Sequence, residues 1–358
     1  MLKPRVTIAG LQRYRSPITS REGLSLDLNE SMPGCSPRVL ARLHSLSAKD
    51  VSLYPQREAG ERLVADFLGI APEQALVTNG MDEALSLVFT AYLDSGDELL
   101  FADPTFVMYP MLGATVAAKV VRVPSRENLT LPIAELLARI SPRTRVIAIA
   151  NPNNPTGLAA TRADLLKIVE SAPNAAVLID EAYFEFCSGA LTCRTLIPDL
   201  AHHPNLFVAR TFSKAYGLAG LRLGVLTGAA EQIDYLRRLS LPFNVNSVAL
   251  ACLEEALADR SFVSEHVAQI KRGREQLERL FGELGLHFWP SQTNFVLLRM
   301  GDSAKAFVEA MRRRRIVVRD FSASPCCQGC VRITVGTPKQ MDTVLTAIRD
   351  SFAESRRA

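Results

Sequence analysis

Arg210-Thr-Phe-Ser-Lys-Ala-Tyr-Gly-Leu-Ala-Gly-Leu-Arg-Leu-Gly224 decides the class of this chain. It follows Leu206-Phe-Val-Ala209, a short apolar run expected to be a buried strand. Lys214 therefore stands on a loop at a strand's end, with hydroxyls at Thr211 and Ser213 and a guanidinium at Arg222. An amine adds to an aldehyde, and cationic donors hold a phosphate. An aldehyde with a phosphate handle is pyridoxal phosphate. Alone, the stretch reads equally as a solvated lysine in a Ser/Gly loop. Its surroundings separate the two.

On the N-terminal side, apolar runs alternate with amphipathic helices. Strands are expected at Ala75–Thr78, Glu98–Phe101, Val116–Val121, Arg145–Ala150, Ala175–Ile179, Leu206–Ala209 and Leu223–Leu226. Helices are expected at Arg38–Leu46, from Tyr54-Pro55 to Leu68, and at Met81–Tyr92, Pro132–Ile140 and Ala163–Ser171. This alternation predicts an α/β fold, a mostly parallel sheet covered by helices. In such sheets ligands bind outside the carboxyl ends of the strands. After Asn246 the texture changes: one long helical region to Leu284, strands at Asn294–Leu298, Ile316–Arg319 and Val331–Val335, and a last helix from Pro338. These give a smaller α+β unit. The expected division is an N-terminal segment over residues 1–45 joined to the small unit, a large unit over 46–265 and the small unit over 266–358. The first thirty residues, with Pro17, are expected to be irregular.

Composition excludes other classes. The 358 residues are 48% hydrophobic, enough for a large core. A net charge of +4, from 41 basic and 37 acidic residues, is too mild to argue for nucleic acid. The run Arg312–Arg315 closes an expected helix (Ala304–Met311), where cations suit the helix dipole. No apolar run reaches membrane-span length, and the N-terminus does not read as a signal peptide. Seven cysteines without a framework pattern suggest a reduced, cytoplasmic setting. Cys327-Gln-Gly-Cys330, beside Cys326, lacks the second ligand pair of a zinc site, and a strand rather than a helix follows it. These cysteines read as turn and strand residues, and no metal is expected.

Asp180 ends an apolar strand, where a carboxylate facing a pyridine nitrogen would keep it protonated and electron-withdrawing. Tyr183 and Asn154, the latter in the rigid loop Asn151–Gly157, can each bond a ring phenolic oxygen. Gly80 and Met81 open a helix whose free N–H groups suit a phosphate, and Asp82 reads first as a cap there. Tyr109 can lie flat on a ring or pack in the core. Arg332, on an otherwise apolar strand, needs an anionic partner such as a substrate carboxylate. Arg319 ends the preceding strand and suits a second anion.

Taken together, these residues make the chain resemble the fold type I pyridoxal-phosphate aminotransferases, and within them the histidinol-phosphate aminotransferase family. The resemblance covers nearly the whole chain. It rests on Tyr54-Pro55, Asn79-Gly80, Pro104-Thr105 with Tyr109, Asn151–Gly157, Asp180-Glu-Ala-Tyr183, Arg210–Gly224, Asn244–Asn246, Thr293–Phe295 and Val331–Gly336. It implies a seven-stranded-type sheet in a large cofactor domain. It implies Lys214 as the Schiff-base lysine and proton carrier, Asp180 on the pyridine nitrogen, Asn154 and Tyr183 on the phenolic oxygen, and Tyr109 stacked on the ring. Gly80, Met81, Thr211, Ser213 and Arg222 would hold the cofactor phosphate, Arg332 the α-carboxylate and Arg319 the substrate phosphate. Tyr54 would reach the neighbouring subunit's cofactor in a homodimer. The implied reaction converts L-histidinol phosphate and 2-oxoglutarate to imidazole acetol phosphate and L-glutamate. The family's usual Asn-Glu-Asn-Pro is here Asn29-Glu-Ser31-Met32, in the segment that covers the substrate pocket, and this bears on side-chain specificity. The alternatives are an aromatic amino acid aminotransferase, a decarboxylase of a phosphorylated amino acid, and a non-catalytic binding protein on the same fold.

Overall fold

Leu99 and Phe101 face one way from their strand and Leu100 and Ala102 the other, and all four are buried. That period of two with both faces apolar is the mark of a strand covered on both sides. In the computed structural model, which describes residues 2–11, 13, 22–189, 194–322 and 324–355, this is β3 of twelve strands. They are β1 Leu24–Leu26, β2 Ala75–Thr78, β3 Glu98–Asp103, β4 Lys119–Pro124, β5 Thr144–Ala150, β6 Ala176–Asp180, β7 Leu206–Thr211, β8 Gly224–Gly228, β9 His287–Trp289, β10 Phe295–Arg299, β11 Ile316–Asp320 and β12 Cys330–Thr334.

The larger sheet has seven strands in the order β2-β8-β7-β6-β5-β3-β4. β8 runs antiparallel to both of its neighbours, and the other pairings are parallel. The helix Met81–Tyr92 covers one face, packing Leu85, Val88 and Phe89 with Leu76, Leu99 and Phe101. The helix Arg162–Ser171 covers the other, packing Leu165, Ile168 and Val169 with Leu100, Ile147 and Val177. Each such fully buried Leu, Ile or Phe stabilises the fold by about 1.5–3 kcal/mol.

The smaller sheet has the order β1-β11-β12-β10-β9. β1 is parallel to β11, and the remaining neighbours are antiparallel. Helices Ala304–Arg313, Pro338–Ser355 and Arg260–Glu283 pack against it and one another.

Four expectations shift. The strand expected at Val116–Val121 starts at Lys119 instead. A helix over Met108–Thr115 runs into that region, and Ala117, at φ 61°, closes it with Ala118 N–H donating to Gly113 O. The long helical region is two helices, Ser247–Ala258 and Arg260–Glu283, broken where the Asp259 side chain caps Phe262 N–H. The N-terminal stretch is not wholly irregular: it holds a short helix, Val6–Ala9, and β1. Pro17 lies outside the described residues. Cys187 is disulfide-bonded, a departure from the fully reduced set suggested by the count, whereas Cys35, Cys252, Cys326, Cys327 and Cys330 are free.

Candidate active site

β5, β6 and β7 lie side by side and end together, so the loops that leave them meet at one edge. Asp180 is the last residue of β6, and Lys214 lies three residues beyond the end of β7. Both line a cleft of about 660 Å³. The β11 and β12 residues Arg319 and Arg332 line the same cleft, as do Asp27, Leu28, Asn29 and Glu30 of the N-terminal segment. Residues far apart in sequence thus share one wall because two sheets abut.

Asp180 is buried. Its Oδ2 accepts from Tyr109 Oη at 3.0 Å and its Oδ1 from Ala182 N–H at 3.0 Å. Burial raises its pKa to about 6, the two hydrogen bonds lower it, and Asp82 and Glu181 add repulsion. Among the described residues no cation is a leading influence on it. A carboxylate in this position favours a positively charged hydrogen-bond donor entering the cleft.

Lys214 is held in the opposite imbalance. Burial, then the Arg332 charge, lower its pKa to about 8, with Glu30 opposing. Its Nζ donates to Leu28 O at 3.2 Å and stands 5.9 Å over the Tyr183 ring. About a tenth of this amine is then unprotonated at pH 7, far more than for an ordinary lysine, and that form is the nucleophile or base.

The other end of the cleft is built for an anion. Gly80, at φ 80°, precedes the helix Met81–Tyr92, whose first-turn N–H groups lack intrahelical partners. A Cβ on Gly80 would stand 2.6 Å from Arg222 Nη2, so only glycine admits the guanidinium there. Thr211 Oγ1 bonds Ser213 Oγ at 3.0 Å and accepts from Ser213 N–H. Asp82 lies in the first turn but does not cap the helix: its Oδ2 accepts from Arg222 at 3.2 Å, and it lines the cleft. An incoming phosphate would share Arg222 with it.

Arg332 reaches across the cleft. Its Nη1 donates to Asn154 Oδ1 and its Nη2 to Asp27 O at 2.6 Å. Asn154 keeps its Nδ2 as a donor. Tyr183 Oη accepts from Asn29 Nδ2 at 2.8 Å. Asn29, buried at φ 55°, also meets Thr334 and Asn294, which locks the N-terminal segment onto the smaller sheet. Arg319 lies directly opposite Arg332 in the β11–β12 register.

Tyr109 departs from its expected place, whereas Tyr54, expected at a neighbouring subunit's cofactor, lies outside this chain's own cleft. Tyr109 presents no face to the cleft. It is fully buried, with Phe89, Phe101 and Phe106 edge-on to its ring, and it acts on the site only through its hydroxyl on Asp180. Phe106 lines the cleft instead. The signal was present as the other aromatic of Pro104-Thr-Phe-Val-Met-Tyr109, but Tyr109 falls inside a helix that turns it to the core. Tyr54 is 77% exposed, stacked on Phe243 at 4.3 Å and outside the cleft. Arg210 turns away too, pairing with buried Glu181 and with Glu185. Cys327 and Cys330 are buried with Trp289 and Leu297. No group of three or more His, Cys, Asp or Glu among the described residues could hold a metal ion.

A cleft with a buried carboxylate, a lysine held partly neutral, an anion-binding helix start and two further guanidiniums suits amino-group transfer on a bound aldehyde cofactor. The family model described as "Aminotransferase class I and II" matches residues 21–348. The chain belongs to that family and is an aminotransferase. It is 36% identical over 334 residues to histidinol-phosphate aminotransferase 1 of Bacillus cereus, covering 92% of this chain and 89% of the relative. It is 34% identical over 337 residues to the histidinol-phosphate aminotransferase of Dehalococcoides mccartyi, covering 92% and 90%. The crystal structure of histidinol-phosphate aminotransferase from Sinorhizobium meliloti in complex with pyridoxal-5'-phosphate superposes with a TM-score of 0.90 at 25% identity, covering 99% and 98%.

Proposed function

We propose that this chain is a pyridoxal-phosphate-dependent histidinol-phosphate aminotransferase that passes the amine of L-histidinol phosphate to 2-oxoglutarate, a step of histidine biosynthesis in the cytoplasm. The observation that carries it is the pair Arg319 and Arg332, side by side on β11 and β12 and facing the cleft of Lys214 and Asp180. Each substrate carries an anion close to the reacting carbon: the amino donor a phosphate on the adjoining CH2–O, the oxo acid a carboxylate bonded to that carbon. The division at residues 46 and 265 belongs to this reading, supported by the pairing of β1 with β11.

When bound, pyridoxal phosphate supplies an aldehyde for amine exchange and a protonated ring that withdraws electrons. Asp180 would keep the ring nitrogen protonated. Tyr183 and Asn154 would donate to the phenolic oxygen, and Phe106 would give the ring a flat partner in place of Tyr109. Gly80 and Met81 N–H, Thr211, Ser213 and Arg222 would hold the cofactor phosphate. Lys214 carries the proton taken from the substrate's amine-bearing carbon. Arg332 grips the α-carboxylate of the oxo acid and of glutamate, Arg319 the phosphate of the amino donor, and Asn29 holds the cover of the pocket.

Arg319→Ala is expected to raise the KM for histidinol phosphate about tenfold or more, with a smaller change for glutamate, because a charge-assisted bond is lost from one substrate. An unchanged KM overturns the assignment. Comparable turnover of phenylalanine in the parent enzyme would favour the aromatic alternative, which the Ser31-Met32 departure motivates.

The second copy belongs to the same proposal. Tyr54 and Phe243 stack in the open beside exposed Val51, Leu53 and Leu241, an apolar patch of the kind interfaces bury. We place a partner subunit there, with Tyr54 reaching its anion site. Mixing Tyr54→Ala and Lys214→Ala chains should then restore activity that neither has alone, through hybrid dimers holding one complete site. No recovery after subunit exchange would assign Tyr54 to its own chain or to packing.

A further inference from the structure

The segment Asp27–Cys35 covers Lys214 and touches its loop at several points. Leu28 O accepts from Lys214 Nζ at 3.2 Å. A Cβ on Gly217 would stand 2.0 Å from Gly34 O, so loop and cover are in backbone contact. Ser31 Oγ lies 2.8 Å from Gly34 O and 3.5 Å from His266 Nε2, and its one proton can go to either. His266 belongs to the helix Arg260–Glu283 and is buried between the rings of Phe186 and Phe262. Its Nδ1 lies 2.8 Å from the carbonyl of Ala215, the residue after Lys214.

A carbonyl only accepts, so the proton sits on His266 Nδ1. Burial lowers the pKa below the ordinary 6.5, the bond to Ala215 opposing, which keeps the ring neutral at neutral pH. Nε2 is then an acceptor that faces the hydroxyl of Ser31, one of the two residues at which this chain departs from the family's usual cover sequence. Helix, cover and lysine loop meet at this one imidazole.

We propose that His266 is a positioning residue for Lys214: its Nδ1–H fixes the Ala215 carbonyl and so the turn that aims the amine, and its Nε2 receives Ser31 when the cover is seated. This rests on the assignment of Lys214 as the reacting amine. Removing the bond frees the turn and the cover together, so the amine becomes more hydrated and more often protonated.

Three replacements in the full chain separate this from packing. The amide of His266→Asn reaches the place of Nδ1, that of His266→Gln the place of Nε2, and His266→Phe keeps only the ring. Hydrogen exchange on the cofactor-free protein reads the segments 28–35 and 212–218. The pH midpoint for uptake of pyridoxal phosphate reads Lys214. His266→Phe and His266→Gln are expected to speed exchange in both segments about tenfold and to move the midpoint above that of the parent. His266→Asn should keep exchange in 212–218 and the midpoint near the parent values, and both it and Ser31→Ala should loosen 28–35. Equal behaviour of the Asn and Phe variants, or exchange unmoved in all, overturns the proposal. If His266→Phe does not fold, the contrast between Asn and Gln decides. Should the parent chain take up no pyridoxal phosphate, the reading of Lys214 has failed, while the exchange contrast still reports on the latch.

Discussion

Lys214→Ala is expected to lower turnover by about 1,000-fold or more while leaving the fold intact. Two roles are lost together: the amine that exchanges with the cofactor aldehyde and the base that moves the proton, each of which commonly contributes orders of magnitude. The side chain makes one hydrogen bond, to Leu28 O, so its removal costs little structure. It also removes an amine whose pKa is depressed to about 8. A base with a depressed folded pKa destabilises the native state while protonated and ceases to do so as pH rises through its unfolded value. The variant should therefore unfold at the same or a higher temperature than the parent below pH 8, without cofactor. Borohydride treatment of the loaded parent should fix the cofactor to the tryptic peptide containing Lys214, and that label should be absent from the variant. Label on another lysine, or residual turnover within tenfold of the parent, would remove Lys214 from the centre of the mechanism.

Asp180→Asn should separate activity from stability in opposite directions. Without its charge the ring nitrogen loses its partner, and turnover should fall by about 100- to 1,000-fold, the scale for loss of one preorganised electrostatic contact. The cofactor-free protein should become more stable. Asp180 is raised by burial to about 6, so the native state holds its proton more tightly than the unfolded chain does. That contribution is present below about pH 4 and is lost as pH rises through about 6. At pH 7.5 the ionised carboxylate is an uncompensated burden, and asparagine lifts it by about 3 kcal/mol. Asparagine can still accept from Ala182 N–H and pair with Tyr109 Oη. Melting of parent and variant without cofactor, at pH 4.5 and 7.5, checks the sign: the gap should open at the higher pH. A less stable variant at pH 7.5 would mean that a cation already offsets Asp180.

Much of this was legible in the chain because the chemistry sits at the ends of very apolar strands. Asp180 after Val177-Leu-Ile179 and Lys214 after Leu206-Phe-Val-Ala209 are marked by a change from apolar to polar that needs no tertiary information. Gly80 and Arg222 were legible as types, but their mutual contact was not, since it depends on β2 and β8 being neighbours. The choice between Phe106 and Tyr109 was not settled locally either: both rings follow the same proline, and the start of the helix at Met108 decides which one the core takes. His266 gave no signal, because one histidine on an amphipathic helix looks like any other residue of its buried stripe. β1 was hidden because Leu-Ser-Leu is too short to declare itself, and its pairing partner begins at Ile316.

That last pairing orders events in the life of the chain. Leu24 leaves the ribosome long before the residue it pairs with, Ile316, has been made. The strands of the larger sheet, β2 to β8, are all complete by Gly228, so the half of the cleft that bears Lys214 and Asp180 can assemble while synthesis continues. The cover, Arg319 and Arg332 can join it only afterwards. During synthesis, the nascent protein carries Lys214 before it has the residues proposed to choose a substrate.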